Sequence, residues 1–299
     1  MLQTNSYKAR IDSLLHYINS MIQKNWVEET PDAFNEAVNL NKLAEISAMS
    51  VRNLHLEFKA HLGETVHQYI DRLRLEYAMQ LLKDKRLTGT EVSEYIGFAN
   101  PSAFNNIFKK KYNVTPKEKG LQLLQREKKT YPYPITYRLA ELKDTPVLFV
   151  SNIGNYNTCA SAIFEEENWN KLYEYALQNG LLPDQEEYWG ICYDDTDITD
   201  QEKCRFYACI TIKEQYVPSL DNPIKSLSIT KGTYAVYLHK GSYALLDAFY
   251  DAILKQLPQA YQLGDGFILE RYLNTPVDTE EESLLTEVLL PIVKVSVYK

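Results

Sequence analysis

Cysteine is scarce in this chain of 299 residues, with four in all, at 159, 192, 204 and 209. None stands in a CxxC pair, and no His–Cys cluster has zinc-ligand spacing, so a zinc finger or ribbon is not expected. Cys192, Cys204 and Cys209 sit in apolar, strand-like runs and read as small buried residues. The five histidines, at 16, 55, 61, 67 and 239, show no metal spacing either. A glycine-rich phosphate loop and a dinucleotide fingerprint are both missing, so no cofactor is expected. No nucleophile–base–orienter set stands out, which argues against a catalytic centre. Asp194, Asp195, Asp197 and Asp200 lack the glycine and the closing glutamate of a calcium loop. No apolar stretch approaches the roughly 20 residues of a membrane span. The start, MLQTNSYKARID, lacks the apolar core of a signal peptide, so the cytoplasm is the expected location and no membrane partner is expected.

What is present is unevenly distributed. The net charge is -8, but residues 1–130 hold 19 basic and 15 acidic side chains, and residues 131–299 hold 13 and 25. Within 99–130 there are eight basic and two acidic residues. Two domains with different partners are expected from that asymmetry, and 299 residues are enough for two cores.

The segment Leu54–Thr65 recurs fifty residues later. Leu54, Phe58, Lys59, Leu62 and Thr65 match Phe104, Phe108, Lys109, Tyr112 and Thr115, and Gly63 matches Asn113. Each copy predicts a short helix with a buried seam, a basic flank and a left-handed stop. Ser50 is placed to cap the first. Asn100 is placed to cap the second, with Pro101 at the first helical position. Between them, Tyr69–Leu82 reads as one connecting helix, and Gly97 supplies a turn. Upstream, Ile11, Leu14, Leu15, Ile18 and Ile22 predict a helix over about 7–24, followed by a connector from Trp26 to Asn39. Two helix-turn-helix units result, built to place helices in a major groove, where base edges are distinguishable.

From Leu40 to Pro116 the chain resembles the DNA-binding domain of AraC/XylS-type transcription regulators. The carrying residues are Ala44, Leu54, Phe58-Lys59, Gly63, Tyr69-Ile70, Arg74-Leu75, Ala78, Leu81-Leu82, Gly97-Phe98, Phe104, Phe108-Lys109 and Thr115-Pro116. The resemblance implies two units reading successive groove segments of double-stranded DNA, with RNA polymerase as a further partner. Leu56 stands where the family often has arginine, Gly89 where an apolar helix residue is typical, and Ala48 where a turn glycine is typical. Asn106 takes a position where a polar or basic residue is usual. With Val51, Leu54 and Phe58 inward, Arg52, Asn53, His55, Leu56 and Lys59 face out. With Phe104, Ile107 and Phe108 inward, Ser102, Asn105, Asn106 and Lys109 face out. Arginine suits guanine, asparagine suits adenine, and Leu56 suits a thymine methyl, while the lysines suit phosphate.

Pro132 and Pro134 end the helical texture, so 126–134 reads as a linker between a domain at 1–125 and another at 135–299. The second domain is β-rich. Strands are expected at Val147–Val150, Tyr188–Tyr193, Phe206–Ile212, Tyr234–Leu238, Phe267–Leu273 and Val288–Val295, and helices at about 160–178 and 243–257. FVSNIGNY (149–156) matches VYLHKGSY (236–243), so the order β-α-β-β occurs twice. The expected fold is therefore an all-α double helix-turn-helix followed by an α+β domain of two β-α-β-β repeats. This second half resembles the GyrI-like effector-binding domain through its glycine–X–tyrosine repeat, YWGICYDD (188–195) and FILERYLNTP (267–276). That resemblance implies a central groove for a small aromatic, apolar or cationic molecule. Seventeen of the 23 tyrosines lie after residue 130, and tyrosine faces attract cations. Glu270, inside an apolar run, would need a partner if it faces inward. Phe149, Trp189, Tyr193, Tyr237, Glu270 and Tyr272 are the expected ligand contacts. The function expected is a ligand-responsive, sequence-specific DNA-binding regulator of bacterial type. Two alternatives stay open: a hydrolase using Glu270, and a protein-interaction module with no small ligand.

Overall fold

The computed structural model describes residues 2–28, 35–83, 88–98, 100–125, 130–156, 168–264 and 266–295. Its contacts divide the chain into two units, Met1–Glu127 with Ser219–Pro223, and Lys128–Pro218 with Ile224–Lys299.

The first unit is helical. Helix α1 spans Leu2–Glu28 and buries the predicted stripe from Ile11 to Ile22. It runs past the expected end at 24 and takes in the first residues of the expected connector. Helix α2 (Leu40–Ile46) is capped by Asn39, whose side chain accepts from the Lys42 N–H. Helix α3 (Val51–Leu62) starts at Ser50, whose hydroxyl accepts from the Asn53 N–H at 3.2 Å, and stops at Gly63 with φ +69°. Helix α4 (Val66–Lys83) follows, with Thr65 and Gln68 exchanging side-chain and backbone hydrogen bonds. Helix α5 (Gly89–Tyr95) carries a capping box between Thr88 and Glu91. Helix α6 (Pro101–Tyr112) repeats α3: the Asn100 side chain accepts from the Ala103 N–H at 2.8 Å, and Asn113 ends it with φ +57°. Helix α7 spans Pro116–Gln125 behind a Thr115–Glu118 box. Leu54 and Phe58 of α3 join the α1 stripe in one core. Phe104 and Phe108 stack edge-to-face at 5.5 Å.

A buried ionic cluster ties α4 to the turn after α3. Arg72 of α4 reaches Glu64, in the turn after α3, at 2.7 Å and Glu76 at 3.2 Å, with its guanidinium 5.0 Å above the Tyr69 ring. Ala48, in the turn between α2 and α3, has φ +50°. A Cβ is strained there and glycine is not. Ala48→Gly is expected to stabilise the first unit by about 0.5–1 kcal/mol, read as a higher denaturant midpoint.

The second unit is a mixed α+β domain. Its strands are β1 (Tyr137–Leu142), β2 (Thr145–Ile153), β3 (Tyr188–Cys192), β4 (Arg205–Thr211), β5 (Lys225–Ile229), β6 (Gly232–Lys240), β7 (Tyr261–Leu263), β8 (Ile268–Tyr272) and β9 (Leu285–Lys294). Helix α8 (Asn168–Gln178) lies between β2 and β3, and α9 (Leu246–Ile253) between β6 and β7. The first part of the helix expected at 160–178, residues 160–167, lies outside the described residues. All pairings are antiparallel, in the order β1-β6-β9-β8-β3-β4-β2-β5, with β7 on β9. The inner six strands read the same from either end: β6-β9-β8 mirrors β2-β4-β3 about the β3–β8 seam. The two repeats also share their turns. The Arg205 N–H donates to the Asp194 side chain at 2.6 Å, and eighty residues on the Leu285 N–H donates to the Asn274 side chain at 2.7 Å. The Gly154 N–H bonds the Cys204 carbonyl, and the Gly241 N–H bonds the Leu284 carbonyl, each at 2.9 Å.

Strands β1 and β5 sit at opposite ends of this order, yet Ala140 and Leu142 of β1 share one core with Leu227 and Ile229 of β5. In a flat sheet the two ends would lie about 34 Å apart, so the sheet curls around that core. Helices α8 and α9 cover its other face. Leu172 and Ala176 of α8 pack on Leu148, Phe206 and Ala208, while Phe249 and Ile253 of α9 pack on Tyr237, Val288 and Leu290.

Candidate DNA-reading helices and ligand site

On α3, Leu54 and Phe58 are fully buried. Leu56 lies two residues from each, about 200° round the helix, so it stands at the centre of the outward face and is 60% exposed. Arg52, Asn53 and Lys59 are exposed beside it, and His55 is half-buried. On α6, Phe104 and Phe108 are the buried pair and Asn106 holds the matching central position, with Ser102, Asn105 and Lys109 exposed. Ile107 departs from expectation. It is 38% exposed, because it sits about 80° from the midline of the buried phenylalanines. Lys109, Lys110 and Lys111 occupy the last turn of α6, at the negative end of its dipole.

The second site lies on the β3–β8 seam. Gly190 pairs with Glu270, and Tyr188 with Tyr272. Glu270 is 4% exposed. Its carboxylate accepts from the Tyr272 hydroxyl at 2.5 Å and the Tyr250 hydroxyl at 2.7 Å, with the Cys192 thiol at 3.6 Å. Burial raises the Glu270 pKa, and the bonds from Tyr272, Tyr250 and Cys192 partly offset this. Burial first, and then the neighbouring thiol and carboxylate, hold Tyr250 and Tyr272 well above the ordinary phenol range, so both remain donors. Burial and Glu270 likewise keep the Cys192 thiol protonated. Trp169 of α8 and Tyr243, just before α9, meet the Tyr272 ring edge-on at 6.0 and 5.9 Å. The result is a carboxylate on the helix-bearing face of the sheet, bonded by two tyrosine hydroxyls whose surroundings are aromatic.

Sheet register divides the expected ligand contacts. One cross-strand row runs Val150–Ala208–Gly190–Glu270–Val288–Tyr237. The neighbouring row runs Phe149–Cys209–Trp189–Arg271–Glu287 and faces the other way. Glu270, Tyr272 and Tyr237 therefore share the helix-bearing face, although Tyr237 stands two strands from Glu270 and donates its hydroxyl to the Gln256 carbonyl. Phe149, Trp189 and Tyr193 lie in the curled interior instead. There Phe149 stacks on Tyr207 at 4.4 Å, Tyr193 packs on Tyr207 at 4.6 Å, and Trp189 lies under Arg271. The structure does not bring these three together with Glu270. The reason is that Gly190, not Trp189, is the partner of Glu270.

Tyr250, Cys192, Trp169 and Tyr243 are not among the expected contacts. A usable signal exists for the neighbouring Gly190, since an isolated glycine in an apolar strand marks a close approach. A Cβ built there would stand 2.8 Å from the Phe206 ring and 2.8 Å from the Tyr272 hydroxyl. Gly190→Ala is expected to destabilise the second unit by about 1–3 kcal/mol through overpacking. Thermal melting checks it, and an unchanged midpoint would mean that the neighbours yield freely.

Among the described residues no group of His, Cys, Asp and Glu is arranged to hold a metal ion, and no helix is long and apolar enough to cross a membrane. Residues 135–293 match the GyrI-like small molecule binding domain, and residues 43–119 match a helix-turn-helix domain of AraC type. The HTH-type transcriptional activator RhaS of Escherichia coli O139:H28 is 28% identical over 118 residues, covering 40% of this chain and 41% of that protein. The chain thus spans about two-fifths of the length of the curated relatives it matches. Among solved structures, the EcmrR–DNA complex in EcmrR-RPo aligns over 86% of this chain and 99% of its own, at 14% identity and a TM-score of 0.45. The EcmrR C-terminal domain aligns over 54% and 99%, at 16% identity and a TM-score of 0.41.

Proposed function

The chain belongs to the GyrI-like small molecule binding domain family through residues 135–293, and from that premise we propose that it is a transcription regulator whose DNA reading responds to a small aromatic cation. The functional division is 1–125 for DNA, 126–134 as linker and 135–299 for the ligand. Glu270 carries the ligand half of the reading. It is a buried carboxylate at the junction of two repeats, ringed by tyrosines and a tryptophan. Such a group is costly to ionise alone, and a desolvated cation with aromatic surface is its natural complement. Tyr272 and Tyr250 orient the carboxylate, while Trp169 and Tyr243 supply ring faces and edges. The three donors already on Glu270 favour a receptor over a catalyst.

The DNA half rests on α3 and α6, two helices of equal length with matched caps, stops and buried seams. Arg52, Asn53, His55 and Leu56 read bases from one, and Ser102, Asn105 and Asn106 from the other. Lys59 and Lys109 hold phosphate. RNA polymerase is the further partner through which such a regulator acts, and the cell interior is where it acts.

Selection of duplexes from a random pool by the full chain tests this reading. The selected operator should bind at least about 10³-fold more tightly than random duplex. Replacing the thymine under Leu56 by deoxyuridine should weaken binding about fourfold, the worth of one buried methyl, and should cost Leu56→Ala nothing. Asn106→Ala should relax selection at one adenine. Equal affinity for selected and random duplexes would contradict the proposal.

A further inference from the structure

The segment that enters the second unit is keyed to α9, the helix whose Tyr250 donates to Glu270. Tyr131 lies six residues beyond the end of α7 in the chain. Its hydroxyl is 2.9 Å from His239 Nδ1, and its ring packs on Phe249 of α9 at 4.8 Å. His239 is fully buried on β6, and its Nε2 lies 3.1 Å from the Ser242 carbonyl. A carbonyl only accepts, so Nε2 carries the proton, Nδ1 accepts, and the Tyr131 hydroxyl donates. Burial lowers the His239 pKa, in keeping with this neutral form. Ser242 caps the single turn that leads into α9. Tyr131 thus grips α9 twice, through His239 and Ser242 at its approach and through Phe249 within it. The next residue along α9 is Tyr250, which donates to Glu270.

We infer that Tyr131 is the residue through which ligand occupancy at Glu270 is passed to the DNA-binding half. This rests on the proposed function and names the regulation of that same site. A cation that draws the Glu270 carboxylate toward itself must stretch or replace the Tyr250 bond. Tyr250 shares a helix of eight residues with Phe249, which is fully buried. A close-packed side chain cannot shift without moving its neighbours. Tyr131 is the neighbour of Phe249 that continues directly into the chain leading back to α7.

The test is a linkage measurement on the full chain with tetraphenylphosphonium as probe. Its dissociation constant is measured with and without saturating selected operator. In the wild type the two values should differ at least about fivefold, the lower end of ordinary coupling. In Tyr131→Ala the ratio should fall to within about twofold of unity, while affinity for probe alone and for operator alone each stay within about twofold of wild type. Tyr131→Phe keeps the ring and loses the hydrogen bond, so its ratio should fall between the two. A merely structural role would lower the separate affinities and leave the ratio in place. Undiminished coupling in both variants overturns the inference. A wild type that binds no probe, or binds it equally on and off DNA, overturns the proposed function itself.

Discussion

Glu270→Gln is expected to lower the affinity of the full chain for a lipophilic aromatic cation by about 30-fold or more, without lowering its melting midpoint at neutral pH. Glutamine is nearly isosteric and can still accept from Tyr250 or Tyr272, so the packing around position 270 is kept. What it loses is the charge, and removing one partner of a desolvated ion pair costs about 2–5 kcal/mol. The effect on stability has the opposite sign. Burial holds the Glu270 pKa above its ordinary 4.5 in the folded chain. Between those two values the unfolded chain has released a proton that the folded chain keeps. Stability from this group is therefore intact below the ordinary value and is lost as pH rises through the folded one. The amide of Glu270→Gln carries no such loss, so the variant should gain on the wild type as pH rises through that window. Cation affinity of the wild type should rise across the same window, because only the ionised carboxylate attracts the ligand. Titration of tetraphenylphosphonium at several pH values, with melting curves alongside, checks both halves. Equal affinity in wild type and variant at neutral pH would remove Glu270 from the ligand site.

Arg72→Ala is expected to cost the first unit about 3–5 kcal/mol, enough to abolish operator binding. Arg72, Glu64 and Glu76 are all buried, and removing the arginine takes from two buried carboxylates the guanidinium that both of them bind. The loss comes from buried negative charge that is less well compensated, more than from the value of the pairs themselves. Replacing all three, as Arg72→Met with Glu64→Leu and Glu76→Leu, should accordingly recover most of the stability. Hydrogen exchange of α4 amides in the full chain reads the effect unit by unit. Unchanged protection in Arg72→Ala would show that the cluster is not what joins the turn after α3 to α4.

The helical half is highly legible in the sequence because its determinants are local. Ser50 and Asn100 cap where expected, and Gly63 and Asn113 take positive φ where expected, since each needs only its own few neighbours. Ile107 is misread because an apolar residue on a helix flank carries the same letter as one in the seam. The β-α-β-β duplication is also legible, through FVSNIGNY and VYLHKGSY. Strands β1, β5 and β7 are not among the expected elements. YRLAEL breaks alternation, KSLSI and YQL alternate over too few apolar residues to stand out, and β1 and β5 form the sheet edges, where burial is incomplete. The candidate ligand site is only half legible. Alternation within FILERYL places Glu270 with Tyr272, but whether Trp189 joins them depends on which residue of β3 lies opposite. That register is a long-range property, and a shift of one residue turns every side chain to the other face. Tyr250 reaches Glu270 from a helix twenty residues earlier in the chain, a contact that no strand pattern contains.

We propose that one chain reads DNA and lets a small cation change that reading. The most direct measurement is the affinity of the full chain for its selected operator, by fluorescence anisotropy, with and without saturating tetraphenylphosphonium. The wild type is expected to change its operator affinity by at least about fivefold on adding the cation, and Glu270→Gln is expected not to respond. Superimposable wild-type binding curves, with the cation shown to be bound, would contradict any coupling between the cation and DNA reading.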